Sequence, residues 1–247
     1  MKQAVKLRRF QLPIAFLLLL INTLPTGAIA KPVLTLAASD ALIGLYHSED
    51  QTALVDELVK LGLQRIGYEL KIITVPSQRS LMMAQSGLTD GTLLRTHFIE
   101  KQFPTLIQVP ESLIDATFVI FSRKPIQLKN SWESLSGKSV GLVIGMKLIE
   151  QKVPKTARIT RVKNERQLFS MLRRKRIDHA AYLLDLGNHY LNKNNISGIV
   201  LSDKPLMTVP GYVYLHPKHK DLAVRLANSI KNMKKDGSFQ KILDRHK

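Results

Sequence analysis

The sequence predicts an α/β fold built from mostly parallel sheets with helices packed on them. The first observation is alternation: short apolar strand segments and amphipathic helical segments take turns along the chain, the usual source of such sheets. The second is composition. Of 247 residues, 45% are hydrophobic and 23% charged, which is globular rather than disordered. The chain has no cysteine. That excludes disulfides, Cys-ligated zinc, iron–sulfur clusters, a thiol nucleophile and lipidation of an N-terminal Cys.

The N-terminus reads as a secretory signal peptide over residues 1–30. Lys2, Lys6, Arg8 and Arg9 precede an apolar run from Leu12 to Ile21, too short to span a bilayer. Pro25 and Gly27 break that run, and Ala28-Ile29-Ala30 supplies the small-x-small pattern before a cleavage site. Cleavage is expected after Ala30, with export to the periplasm. The formal charge falls from +18 to +14 on the remaining 217 residues.

The mature chain then runs through its elements. Val33 to Ala37 is a buried strand. Asp50 to Ile66 is expected to be a helix, with Leu54, Leu58, Leu61 and Val55, Val59 on adjoining stripes and Gly67 at its stop. Tyr68 to Val75 alternates as a strand. Ser77 is expected to cap a helix over Arg79 to Gln85, and Gly91 to Leu94 forms the next strand. A second series follows: a strand at Phe118 to Phe121, a short helix capped by Ser131, and strands at Val140 to Ile144 and Arg158 to Val162. Then come a helix over Glu165 to Leu172 capped by Asn164, strands at Ala180 to Leu184 and Tyr212 to Leu215, and a long helix from Asp221 to Met233. The two series echo each other weakly. Arg79-x-Leu81 precedes Asp90 much as Arg166-x-Leu168 precedes Asp178. Two similar lobes or chance would each account for this.

Four segments carry a resemblance to a known family. They are Pro76-Ser77-Gln78-Arg79-Ser80-Leu81 with Gly87-Leu88-Thr89-Asp90-Gly91 and Arg95, Phe103 to Glu111, Trp132 to Gly141, and Lys234-Lys235-Asp236-Gly237-Ser238. In this order and spacing the chain resembles a divergent branch of the family 3 periplasmic solute-binding proteins. The resemblance implies the two-lobed type II periplasmic binding-protein fold, each lobe a mostly parallel sheet flanked by helices. Lobe 1 would comprise 31–120 plus 212–247, and lobe 2 would comprise 121–211. Two hinge segments would cross near Phe118–Lys124 and Met207–Tyr212. A small polar ligand, anionic or zwitterionic and amino-acid-like, would be captured between the lobes for an inner-membrane ABC permease or a sensor protein. The protein is expected to act as a monomer.

Loops at the carboxyl ends of the strands face the crevice in open α/β sheets. That selects Ser39, Arg79 and Arg95 in the first lobe and Gly145, Met146 and Asp185 in the second. Arg95 heads the set, because a guanidinium fork matches a carboxylate. In the family a first-lobe arginine commonly holds the ligand carboxylate. An acid at the end of a second-lobe strand holds its amine; Asp185 stands there, with Tyr182 competing. Gly145 precedes a helix start, whose free N–H groups suit an anion. The family carries an aromatic and proline pair soon after the first strand to stack on the ligand; this chain reads Asp40 to Tyr46 there instead, with Tyr46 the candidate for that role.

No enzyme motif is present: no His-Glu-x-x-His, no Gly-x-Ser-x-Gly and no phosphate-binding loop. The chain is expected to be a binder rather than an enzyme, with no catalytic residue, cofactor or metal. Basic runs at Arg173 to Arg176 and from Lys147 to Lys163 suit anionic ligands or the cell envelope outside the cytoplasm, not nucleic acid. Two alternatives stay open: a basic envelope-interaction protein with a vestigial cleft, and a small-molecule enzyme on the same lobes.

Overall fold

Apolar strands that need cover on both faces set the architecture. The computed structural model describes residues 30–246, so the expected signal peptide, Ala30 apart, lies outside the described residues. Strand β1 (Val33–Ser39) is buried at Leu34 and from Leu36 to Ser39. It pairs in parallel with β2 (Glu69–Val75) on one side and β3 (Gly91–Arg95) on the other. A strand buried on both faces reads as a continuous apolar run. Helices α1 (Leu54–Gln64) and α2 (Ser77–Ser86) supply the crossovers.

Helix α1 starts at Leu54, four residues later than the periodicity suggests. The preceding turn is tied locally: Ser48 Oγ accepts from Thr52 N and Ala53 N, each at 3.0 Å. The carboxylate of Asp56 accepts from Ser48 N at 2.9 Å and lies 2.8 Å from His47 Nδ1. The other imidazole nitrogen lies 2.8 Å from Thr74 Oγ1 on β2. His47 and Asp56 are both fully buried, so this chain fixes the loop after β1 to the rest of the lobe.

Two long strands join the halves of the sheet. Strand β4 (Ile107–Gln108) leads into β5 (Ile114–Ser122). The chain then forms β6 (Ser139–Val143), α3 (Lys147–Lys152), β7 (Arg158–Val162), α4 (Glu165–Arg173), β8 (His179–Leu183) and α5 (Leu184–Lys193). After β9 (Val200–Leu201), β10 (Met207–Leu215) returns, and α6 (Lys220–Lys235) and α7 (Ser238–Arg245) end the chain. The strand order is β2-β1-β3-β10-β5-β8-β6-β7. Strands β5 and β10 pair antiparallel from Ile114 with Gly211 to Phe118 with Met207. In the second half, β6 pairs in parallel with both β7 and β8.

Two expected caps are corrected. Ser77 does not cap α2: Pro76 stands at the cap, and the Ser77 hydroxyl is used elsewhere. Ser131 does not cap the 3-10 turn over Ser131–Leu135. It sits inside that turn at φ +45° and donates to Leu206 O at 2.7 Å. Asn164 does cap α4, accepting from Gln167 N at 3.0 Å. The strand expected to run through Leu184 stops at Leu183, where α5 begins. Helix α5 had no clear stripe to announce it. It packs on β5 through Gly187, where a Cβ would fall 2.2 Å from the Phe121 ring.

Each half has its own packed layer. In the first, Leu222, Leu226, Ile230 and Met233 of α6 are buried, and Ser229 Oγ donates to Gly62 O of α1 at 2.8 Å. In the second, Phe169 of α4 meets Phe121 edge-on at 5.2 Å and stacks on Tyr190 at 5.3 Å. Full burial of one such side chain is worth about 1.5–3 kcal/mol.

Candidate functional site

The cleft between the halves holds a cavity of ≈ 90 Å³. Five of the sequence-selected residues line it: Ser39, Tyr46, Arg95, Gly145 and Met146. Most of the remaining wall is apolar, from Leu81 and Phe98 of the first half to Phe118, Leu148 and Leu183 on the other side.

Arg95 reaches this cavity through a β-bulge. Tyr214 pairs with Thr92, but Tyr212 pairs with Arg95, so β3 spends two residues, Leu93 and Leu94, where β10 spends one. Leu94 sits at φ +38°, a left-handed conformation that costs a branched residue energy. The extra residue turns Arg95 to the face of Thr92, three positions earlier, against the ordinary two-residue alternation. Its Nε donates to Thr92 Oγ1 at 3.2 Å. Nη1 donates to Ser77 Oγ at 3.1 Å, and Nη2 donates to Ser77 O and to Ser80 Oγ.

These partners are all neutral. Among the described residues no carboxylate lies within salt-bridge distance of Arg95. Loss of solvent lowers its pKa to about 10, with the Asp40 charge acting in the opposite direction. The group is therefore a full cation at neutral pH. Four of its five N–H groups are spoken for, so the open two-pronged fork suggested by the sequence is reduced to one free N–H and an unneutralised charge.

The second-lobe candidates find partners within the chain. Gly145 N, the donor at the helix start, gives its hydrogen bond to Glu150 Oε1 at 2.9 Å. Lys147 Nζ lies 3.3 Å from the other oxygen of that carboxylate. Asp185 is exposed at the rim and accepts from the Tyr46 hydroxyl at 3.0 Å. Burial, and then Asp185, push the Tyr46 phenol far above its ordinary range, so Tyr46 stays a donor. Tyr182 does not line the Arg95 cavity. It faces an adjoining groove and donates to Glu165 Oε2 at 2.7 Å. Burial, more than the neighbouring Glu165, raises its pKa. Ser39 is buried and accepts from Ala41 N at 3.2 Å. Arg79 is exposed on α2 and stands outside the cavity wall.

Among the described residues, contacts across the cleft include three. Tyr46 meets Asp185, Ser77 Oγ donates to Gly145 O at 3.1 Å, and Lys152 Nζ lies 5.7 Å from the centre of the Phe98 ring. Gly145 has φ +94°, and a Cβ there would fall 2.9 Å from Ser77 Cβ. Sequence reasoning missed Ser80, Thr92 and Phe98. Their roles come from a helical turn, a bulge and a 3-10 turn that bring distant positions to one wall. Among the described residues, no three His, Asp or Glu side chains gather to hold a metal ion, and no helix is long and apolar enough to cross a membrane.

No protein-family model matches the chain. An uncharacterized protein of Shewanella oneidensis is 24% identical over 198 residues, covering 73% of this chain and 70% of its own. Among solved structures, an ancestral arginine-binding protein bound to glutamine matches with a TM-score of 0.70 at 20% identity, over 87% of this chain and 97% of that one. A histidine kinase sensor domain with similarity to periplasmic binding proteins matches with a TM-score of 0.71 at 15% identity, over 87% and 96% of the two chains. The chain has the two-lobed fold of periplasmic binding proteins. At these identities the likeness carries the fold and leaves the ligand open.

Proposed function

We propose that this protein is an exported solute-binding receptor of the periplasm. It takes up a small anionic or zwitterionic molecule in the cleft and passes the closed form to an inner-membrane permease or sensor. The observation that carries this reading is Arg95: a cation set into a mostly apolar cavity, held by hydroxyls and a carbonyl, with its charge left for a guest. A cation kept from its own acids is costly unless an anion arrives. Closure then follows from differential affinity, since a ligand that touches both walls favours the state in which they meet. The lobes divide at β5 and β10, which serve together as the hinge.

A thermal-shift screen of the purified protein against small carboxylates and amino acids tests this. A ligand at about a hundred times its Kd adds about 2.7 kcal/mol, a rise of roughly 5–10 °C in a domain of this size. The rise disappears in Arg95→Ala, and the ligand is recovered chemically unchanged. A ligand consumed during the assay would instead make the protein an enzyme.

A second reading rests on charge. Residues 121–211 hold 17 Lys and Arg against 6 Asp and Glu, while 31–120 and 212–247 together hold 16 against 13. On α4 and its C-terminal turn, Arg166, Ser170, Arg174 and Arg176 line one surface groove. Such a face suits an anionic envelope surface. Retention on vesicles containing phosphatidylglycerol at low salt, lost at high salt, with silence across the ligand screen, would favour it over the receptor.

A further inference from the structure

The cavity wall holds two cations, Arg95 and Lys147, and no Asp or Glu. Lys147 is already neutralised by Glu150. One uncompensated positive charge therefore remains, and it belongs to Arg95. In an α-amino acid, the ammonium is attached one carbon from the carboxylate. A carboxylate seated on Arg95 would carry its ammonium into the same wall, beside a guanidinium and among Leu81, Phe98 and Phe118.

The acids near the cleft stand outside the cavity wall. Asp185 accepts from Tyr46, and Glu165 from Tyr182 in the adjoining groove. Glu150 is taken by Gly145 N and Lys147. Asp40 is exposed at the rim and beyond salt-bridge distance of Arg95. The helix start at Gly145, which would offer a second anion site, is closed by that same Glu150. The cavity wall itself therefore offers an ammonium no carboxylate, and its helix start offers a second carboxylate no free N–H.

Resting on the receptor reading above, we infer that the ligand is a small monocarboxylate with an apolar body and no α-ammonium group. Its carboxylate takes the free N–H and the charge of Arg95, and its carbon chain fills the apolar wall. Size sets the scale. A cavity of about 150 Å³ accepts benzene, and this one is ≈ 90 Å³, so the body is a few carbon atoms. An ammonium brought there would lose its water with no acid to replace it, a cost larger than that of a neutral group left unpaired.

Matched pairs that differ only by the amine give the test: propionate against alanine, and butyrate against 2-aminobutyrate. Affinities are measured by calorimetry on the purified protein at neutral pH. Each plain acid binds at least about tenfold more tightly than its amino partner, and Arg95→Lys, shown by circular dichroism to be folded, binds the acids more weakly than wild type. Alanine or 2-aminobutyrate binding as tightly as its plain acid would overturn the ligand class and leave the receptor intact. Silence from all four compounds, together with a hit among larger amino acids, would also overturn the class. Silence from every small carboxylate and amino acid would overturn both readings.

Discussion

The Tyr46 hydroxyl donates to Asp185 Oδ2 at 3.0 Å, from a buried ring in one half to an exposed carboxylate in the other. In the proposed receptor this bond would be made in the closed arrangement, where the walls of the cleft meet. Tyr46→Phe keeps the ring and removes the bond, at a cost of about 1 kcal/mol to closure. Small-angle scattering of the ligand-free variant should show a larger radius of gyration than wild type. An unchanged radius would mean the bond adds nothing to closure.

Gly145 gives a steric version of the same experiment. Its φ of +94° is strained for any residue with a side chain, and a Cβ would press on Ser77 at 2.9 Å. Gly145→Ala should hold the cleft ajar and weaken ligand binding by about tenfold or more. Ser77→Gly in the same background removes the obstruction and restores part of the affinity, although the backbone strain stays.

Asp56 holds the loop that carries Tyr46. It is fully buried, sits against His47 Nδ1 and accepts from Ser48 N. Asp56→Ala leaves both buried donors unmet, which costs about 3 kcal/mol. The melting temperature should fall by roughly 6–12 °C. Replacement by Asn, which keeps one acceptor, should recover part of that loss.

Asp90 carries a pH dependence. Burial acts to raise its pKa, but Lys218, Thr35 N and His219 together hold it down to about 2. A carboxyl depressed in the folded state contributes stability above its unfolded pKa of about 3.9 and loses it as pH falls through the folded value. Asp90→Asn should therefore melt below wild type at pH 7. The gap should narrow between about pH 4 and pH 2. A gap that stays constant down to pH 2 would show that the stabilisation does not depend on the charge.

The alternation of apolar runs made most of the fold legible. Strands such as β1, β6 and β8 announce themselves as short continuous apolar segments, and the stripe of α6 at Leu222, Leu226, Ile230 and Met233 is regular. Of α3 only the start after Gly145 was legible, and α5 was not. Helix α3 has six residues, and α5 buries only Leu186, Gly187 and Leu191. The site was readable by position and not by partner. Strand ends pointed to Arg95, Ser39 and Gly145. The bulge at Leu94 has no sequence signature, yet it decides which way Arg95 faces. The pairing of Asp185 with Tyr46 joins residues 139 positions apart, and local spacing carries no trace of it.

Strands β5 and β10 connect the halves as one hydrogen-bonded ribbon, with five facing residue pairs and the Thr117 and Thr208 hydroxyls 3.2 Å apart. A two-stranded ribbon twists readily about its long axis, while sliding one strand past the other breaks its ladder. In the proposed receptor the connection would act as a torsion spring with one soft mode, the halves turning about a single line, so that a substitution stiffening either strand would change the stroke of both.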